Sequence, residues 1–216
     1  MGHEDINEAK SRTRRAVSDV LTGLTPSRRR AASVALAQKL TQMPEVRAAR
    51  TVMLFLSLPS EIDTWPTIRW AWREGKRVAV PRVEASAPGR ETHLEERGMT
   101  PVLLAAADIQ TIHEHPGVRP GPLGILDVPD APEVPVPEID VVLVPCMAVD
   151  RRGNRLGRGG GFYDRFLSRP DLRARQIVIA LQEQLFDEVP VGPRDRRVPV
   201  VVTDAETIVV TKKSEK

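Results

Sequence analysis

One stretch, between residues 139 and 167, constrains the fold more than any other part of this chain. It contains the apolar run Val141 to Val144, which is short, rich in β-branched residues and typical of a buried strand in a mostly parallel sheet. A loop with three consecutive glycines at 159–161 follows, and residues 162–167 then have the composition of a helix start. Since parallel strands need crossover connections that are usually helices, this stretch predicts an α/β fold.

The rest of the chain repeats this alternation of strand and helix. Further strands are predicted from short apolar runs, which are TVMLFL (51–56), RVAVP (77–81), QIVIAL (176–181), VPVVVTD and TIVV. Helices are predicted over 5–21, from Pro26 to about Met43, and over 65–74. Thr25 is expected to cap the second helix and Gly75 to end the third.

These elements predict a three-layer α/β domain with a largely parallel sheet and helices on both faces. We expect one domain over residues 1–216, with the N-terminal helices of 5–43 packing on the sheet and a disordered tail at 212–216. The Pro- and Gly-rich region 84–138 should be a mostly irregular excursion with short strands near 92–95. Ligand-binding loops are expected at the carboxyl ends of the strands.

Charge and composition exclude several classes of protein. The net charge is only +3, from 32 basic and 29 acidic side chains, and aromatic residues make up 4% of the chain, which argues against a general nucleic-acid binder. No apolar run has the length of a membrane span, and the first residues lack the apolar core of a signal peptide. We expect a cytoplasmic monomer that binds small anions and neither nucleic acid nor membrane.

Histidine and cysteine often bind metals or act as nucleophiles, but in this sequence structural roles explain them better. His113 and His115 alternate as two ligands on a strand could, but with no third ligand in view, loop histidines in solvent are the better interpretation. Cys146 is the single cysteine, so an internal disulfide is excluded. With no histidine nearby in sequence to activate it, Cys146 is expected to be a small buried side chain.

The glycine turn is the strongest candidate for a ligand site. Glycines at 159–161 allow positive φ angles and close approach to backbone N–H groups, and the guanidinium groups of Arg155 and Arg158 suit phosphate oxygens. No Lys-Ser or Lys-Thr follows, so this is not a P-loop, and the spacing is not G-x-G-x-x-G. Bare glycine-rich turns often bind nothing, but these neighbours favour phosphate binding.

The string GNRLGRGGGFYDRFL, from 153 to 167, closely resembles the signature of the 5-formyltetrahydrofolate cyclo-ligase family, also called methenyltetrahydrofolate synthetases. Weaker matches lie at Lys10 and Arg14, at FLSLPSEIDT (55–64), and at VPVGPRD, which ends at Asp195. Without the resemblance, Lys10 and Arg14 would be interpreted as a solvated helix face, Glu61 as an exposed carboxylate and Asp195 as a turn residue. Together the matches span nearly the whole chain.

The resemblance implies ATP- and Mg²⁺-dependent cyclisation of 5-formyltetrahydrofolate to 5,10-methenyltetrahydrofolate through an iminium phosphate, with release of ADP and phosphate. It implies catalytic roles for Tyr163 and Arg155, and folate binding by Glu61, Phe55 and Tyr163. Mg²⁺ would be held by Asp164 and Asp195. The residues that it implies for ATP binding are Lys10, Arg14, Arg155, Leu156, Gly157, Arg158, Gly159, Gly160, Gly161, Phe162, Tyr163 and Asp164.

The chain departs from common family residues at Cys146, Val149, Phe162 and Arg194, none of which removes a phosphate or metal group. It also departs at Asp127 and Val128, where the family commonly has Glu-Pro, and no role is assigned to that segment. Two other classes of function stay open. A sugar-phosphate or CoA-handling protein would use the same glycine turn but would not need Glu61 or the Lys10 and Arg14 pair. A catalytically silent relative would keep the fold as a nucleotide- or RNA-binding module that uses its arginine groups.

Overall fold

The computed structural model describes residues 3–83, 98–121 and 124–210, so the expected strands near 92–95 and the tail at 212–216 lie outside the described residues. The helices are α1 His3–Thr22, α2 Pro26–Gln42, α3 Pro44–Ala48, α4 Trp65–Arg73 and α5 Phe162–Leu167. The strands are β1 Thr51–Met53, β2 Arg77–Val83, β3 Met99–Leu104, β4 Arg119–Pro120, β5 Leu126–Asp127, β6 Val141–Val144, β7 Ala148–Asp150, β8 Arg155–Leu156, β9 Arg175–Ala180, β10 Leu185–Phe186, β11 Val200–Thr203 and β12 Thr207–Val209.

The centre of the molecule is a seven-stranded sheet in the order β12-β11-β9-β6-β1-β2-β3. The five inner strands are parallel, and the edge strands β12 and β3 run antiparallel to their neighbours. Every residue of β6 is buried, as its continuous apolar run predicts. The carboxyl ends of the parallel strands therefore meet at one edge of the sheet, where the loops after β1 and β6 emerge.

Helices cover both faces of the sheet, and the three-layer α/β prediction is confirmed. On one face, α1, α2 and α4 pack through side chains such as Val17, Leu36 and Ile68 against the sheet. On the other face, α5 packs through Phe166 and Leu167 in a second cluster. Val134, Val136 and Ile139 complete that cluster from a segment that contains the short 3-10 helix Val136–Glu138.

The helix boundaries follow from local capping. The Thr25 hydroxyl accepts a hydrogen bond from the Arg28 N–H at 3.1 Å, and Pro26 occupies the first turn of α2, as predicted. Gly75 follows α4 with a φ of 68°, a conformation that glycine adopts without strain. None of the helices among the described residues has the length and hydropathy needed to cross a lipid bilayer.

Several predicted elements need correction. The first strand ends at Met53 instead of residue 56, although the Leu54 N–H still donates to the Ala79 carbonyl at 2.9 Å. Strand β3 and the small sheet β10-β7-β8 were not predicted. His115 is buried, not solvated: its Nδ1 accepts from the Gly117 N–H at 3.0 Å, so Nε2 carries the proton and donates to the Ala105 carbonyl at 2.9 Å.

Candidate functional site

The glycine turn lies at the end of a short hairpin that leaves the carboxyl edge of the central sheet. Strand β8 pairs with β7, which follows β6 directly, so Arg155 and Leu156 are fixed by the ladder immediately before the turn. Gly159 and Gly161 have φ angles of 112° and 65°, and Gly161 caps α5. A Cβ atom at Gly160 would lie 2.5 Å from the Phe162 ring. The run of three glycines is therefore a requirement of the turn.

Arg155 and Tyr163 place two unpaired polar atoms beside this turn. The Arg155 side chain is 2% exposed and donates from Nη2 to Asp164 Oδ1 at 2.8 Å. Arg155 Nε and the Tyr163 hydroxyl are buried without a hydrogen-bond partner in the described part of the chain. The Arg155 guanidinium lies 6.0 Å from the centroid of the Tyr163 ring, so both atoms belong to one small region. A bound acceptor there would satisfy groups that the protein leaves unpaired.

Helix α1 brings Arg14 to the turn and Lys10 to Asp195 in the loop at 191–197. The two residues are four positions apart and project from one helix face. Arg14 Nε donates to the Gly157 carbonyl at 2.9 Å, and Lys10 Nζ donates to Asp195 Oδ2 at 2.6 Å. The structure thus brings both side chains to the predicted site, while their role in phosphate binding stays a prediction.

The two carboxylates predicted to hold Mg²⁺ lie on segments that contact each other. Asp195 Oδ2 accepts from the Gly192 N–H at 2.6 Å, and Asp164 Oδ1 accepts from the backbone N–H of Arg196 at 3.2 Å. Each carboxylate keeps one oxygen that receives no hydrogen bond from residues 3–83, 98–121 and 124–210. These ranges contain no group of three or more His, Cys, Asp or Glu side chains arranged so that it could hold a metal ion. The pair fits a hard cation that completes its shell with water and phosphate oxygens.

Glu61 reaches the glycine turn from the loop after β1. Its Oε1 accepts from Arg158 Nε at 3.0 Å and from Arg158 Nη2 at 2.9 Å, and its Oε2 accepts from the Leu58 N–H at 2.9 Å. The Arg158 side chain is 49% exposed and that of Glu61 is 14% exposed. The residue predicted to bind folate is therefore paired with a residue predicted to bind phosphate.

Three other predicted residues lie at the edges of this arrangement. The Phe55 and Leu156 side chains are buried in the core cluster that packs under α1, α2 and α4. Phe162 is half-buried, and its ring centroid lies 5.1 Å from the Arg165 guanidinium. Their predicted roles in ligand binding stay predictions, and any contact from Leu156 would use its backbone.

Burial keeps two reactive side chains near the turn protonated. Burial raises the pKa of the Cys146 thiol to about 12, with Arg155 opposing this shift and Glu61 adding to it. Burial also raises the pKa of the Tyr163 phenol, again with a contribution from the Glu61 charge and opposition from Arg155. At neutral pH the thiol is no nucleophile, and the phenol can donate a hydrogen bond but is no base.

Some residues at the site were missed from sequence. A cleft of about 170 Å³ is lined by Asn154, Arg155, Val191, Gly192, Asp195, Arg196 and Arg197. Asn154 could have been found from the turn-forming string DRRGN, whereas nothing in the sequence distinguishes Arg197 from its neighbours. Arg82, just past the predicted strand at 77–81, pairs with Glu133 at 2.7 Å.

Comparison with known proteins gives one consistent result. A model of the 5-formyltetrahydrofolate cyclo-ligase family matches residues 6–204. The 5-formyltetrahydrofolate cyclo-ligase of Escherichia coli K12 is 33% identical over 184 residues, covering 85% of this chain and 93% of that protein. The Mycolicibacterium smegmatis enzyme of that name is 34% identical over 162 residues, covering 75% and 77%. The NMR structure of Aquifex aeolicus 5,10-methenyltetrahydrofolate synthetase has a TM-score of 0.73 at 25% identity, covering 96% of this chain and 95% of that one.

Proposed function

The chain belongs to the 5-formyltetrahydrofolate cyclo-ligase family and is an enzyme of that family, and on this premise we propose that it uses ATP and Mg²⁺ to cyclise 5-formyltetrahydrofolate. The products would be 5,10-methenyltetrahydrofolate, ADP and phosphate. The observation that carries the proposal is that Arg14, Arg155 and Arg158 meet at the glycine turn, while Lys10 pairs with Asp195 in the loop at 191–197, which itself contacts Asp164. Lys10 and Arg14 come from α1, and Arg155 and Arg158 from the segment that leads into the turn. Each has a cation suited to phosphate oxygens.

The basic side chains and the turn would bind the polyphosphate. Positive φ at Gly159 and Gly161 lets the backbone N–H groups of the turn approach an anion closely. Arg155 is held rigidly by Asp164 and by burial, so its orientation is set before a ligand binds. Preorganised charge of this kind stabilises a phosphoryl group in transfer without reorganisation during the reaction.

Asp164 and Asp195 would hold the Mg²⁺ that accompanies ATP, each through the oxygen that no described donor occupies. When bound, Mg²⁺ neutralises phosphate charge and orients the nucleotide. Lys10 would keep its contact with Asp195 and so lie beside the same phosphates. This assignment uses two carboxylates from separate loops, as Mg²⁺–nucleotide sites commonly do.

The reaction activates an amide-like oxygen that otherwise leaves poorly. The formyl oxygen of the substrate takes the γ-phosphoryl group of ATP, and ADP departs. N10 of the folate then attacks the formyl carbon, the phosphate leaves with the former formyl oxygen, and N10 loses its proton. The protonated Tyr163 hydroxyl and Arg155 Nε, both unpaired and buried, would donate to the formyl oxygen or to its phosphate. Glu61 would accept N–H groups of the pterin ring.

The test measures the absorbance of the methenyl product when purified protein is incubated with 5-formyltetrahydrofolate and Mg-ATP. Arg155→Ala and Asp164→Ala should each lower turnover at least about tenfold, which corresponds to a loss of about 1.4 kcal/mol of transition-state stabilisation. Arg82→Ala breaks an ion pair of the same type away from the site and should leave the rate unchanged. Circular dichroism would show that each variant is folded.

The outcomes separate the proposed activity from a catalytically silent relative. Failure of the wild-type protein to form product would reject the proposal, and ATP binding without product would indicate the silent nucleotide-binding relative. Product formation that survives both Arg155→Ala and Asp164→Ala would keep the activity but remove these residues from it.

A further inference from the structure

Asp150 is a buried carboxylate that no step of the proposed mechanism uses. Its side chain is fully buried, with a relative exposure of 0%. Oδ1 accepts from the backbone N–H groups of Arg152 and Asn154, both at 2.9 Å. Oδ2 accepts from Asn154 Nδ2 at 2.7 Å and from the Val189 N–H at 3.2 Å. A buried charge is costly unless it is fully hydrogen-bonded, so this degree of satisfaction indicates a specific role.

The hydrogen bond from Asn154 fixes the orientation of its amide. Because Nδ2 donates to Asp150, Oδ1 must face the other way, where it accepts from Arg197 Nε at 2.7 Å. The β7–β8 hairpin, which carries Arg155, is thus joined to the 191–197 loop, which carries Asp195. A backbone hydrogen bond from the Val198 N–H to the Gly153 carbonyl at 3.0 Å reinforces the junction.

Arg197 is held at one nitrogen and keeps the other two for a ligand. Its Nη1 and Nη2 atoms donate no hydrogen bond to any group in the part of the chain that the structure describes, and the residue as a whole is exposed. It lines the cleft of about 170 Å³ together with Arg155, Asp195 and Arg196. This cleft therefore extends the predicted phosphate and Mg²⁺ site by guanidinium groups to which the family resemblance assigns no role.

Resting on the proposed function, we propose that Arg197 contacts the polyphosphate of the nucleotide, and that Asn154 and Asp150 are positioning residues that act through it. The carboxylate orients the amide, and the amide oxygen holds Nε so that the two Nη groups face the cleft. A flexible surface arginine would lose side-chain entropy on binding an anion, whereas Arg197 is partly ordered before the ligand arrives.

The first test removes the Arg197 charge. Arg197→Gln should raise the Kd for Mg-ATP, measured by calorimetry, and the KM for ATP by about tenfold, with kcat and the KM for 5-formyltetrahydrofolate within about twofold. Arg194→Gln removes a charge from the same loop but outside the cleft and should change the KM for ATP by less than about twofold. Arg197 is exposed, so loss of fold is not expected.

The second test asks whether Asn154 acts through Arg197. Asn154→Ala should also raise the KM for ATP, but adding it to Arg197→Gln should change the KM little, because residues acting through one contact are not additive. Asp150→Asn should weaken ATP binding by placing an N–H₂ group against the Asn154 amide. In the double variant Asp150→Asn with Asn154→Asp, the amide at position 150 can donate to the carboxylate at position 154. This variant should therefore recover part of the lost ATP affinity.

The results distinguish this proposal from the proposed function. Product formation with an unchanged KM for ATP in Arg197→Gln would overturn the role of Arg197 and leave the activity in place. Fully additive effects of Asn154→Ala and Arg197→Gln, or no recovery in the exchanged variant, would overturn the positioning roles. A wild-type protein that neither binds Mg-ATP nor forms product would reject both proposals.

Discussion

Tyr163 and Arg155 are unusual at the level of single residues because both bury a polar atom that no described group pairs. A buried donor without a partner costs about 1–3 kcal/mol relative to the same group in water. Proteins keep such groups where a ligand supplies the partner. These two atoms lie beside the glycine turn and not in the core under α1, α2 and α4. We therefore interpret their unpaired state as a sign of ligand binding.

The Tyr163→Phe variant should therefore separate stability from activity. Removing the unpaired hydroxyl should leave the free energy of unfolding unchanged or raise it by about 1 kcal/mol, since no hydrogen bond is lost. Turnover should fall at least about tenfold, because the hydroxyl would donate to the reacting oxygen. Urea unfolding and the methenyl absorbance assay measure the two quantities. A destabilised variant with full activity would show that the hydroxyl has a structural partner and no catalytic one.

Single residues also show what sequence could and could not predict. Lys10, Arg14, Glu61 and Asp195 were placed at the site by family resemblance. The structure brings Arg14 and Glu61 to the turn and pairs Lys10 with Asp195 in the loop at 191–197. Arg197 was missed because its partner Asn154 is 43 positions away and neither residue has a distinctive local pattern. Long-range side-chain contacts of this kind are set by the tertiary fold, which local propensities do not encode.

The elements were predictable in proportion to their length and periodicity. Strands β6 and β9 and helices α2 and α4 have continuous apolar runs or capping residues, and they form where the sequence predicts them. Strands β7, β8 and β10 have only two or three residues, which is too short for an alternating pattern to appear. They exist because β7 pairs locally with β8 in a hairpin and also with β10, which lies more than thirty residues further along the chain.

The glycine turn is the element whose backbone can be tested directly. Gly161 has a φ of 65° at the start of α5, and Gly75 has a φ of 68° after α4. An alanine at either position should cost about 1–2 kcal/mol of stability, because a Cβ atom disfavours the left-handed region. Gly161→Ala should also raise the KM for ATP severalfold, whereas Gly75→Ala should not. Thermal unfolding and steady-state kinetics test this pair, and equal kinetic effects would place the phosphate site elsewhere.

Across the whole molecule, the charged side chains of the predicted binding site are paired with one another. Three cations predicted for phosphate binding are paired with carboxylates, in Lys10 with Asp195, Arg155 with Asp164, and Arg158 with Glu61. Each pair joins segments that are distant in sequence or separate in structure. The pair of Glu61 and Arg158 joins a residue predicted to bind folate to one predicted to bind ATP, so each ligand would have to break the same ion pair.

This shared ion pair predicts that the two substrates help each other to bind. Whichever ligand binds first spends free energy to separate Glu61 from Arg158, and the second ligand then binds without that cost. In the wild-type protein, 5-formyltetrahydrofolate should tighten the binding of a non-transferable ATP analogue by at least about fivefold, and the analogue should tighten folate binding equally. Calorimetry with and without the second ligand measures both factors.

The Glu61→Gln variant isolates the cause of this coupling. Because the glutamine side chain has no charge to hold Arg158, the analogue should bind more tightly than to wild type when folate is absent, and the coupling factor should fall towards one even at saturating folate. Glu133→Gln removes the partner of Arg82 away from the site and should leave both the affinity and the coupling unchanged. If Glu61→Gln weakens folate binding but keeps the full coupling factor, the two sites communicate through another contact, and the ion pair only orients Glu61 for the pterin.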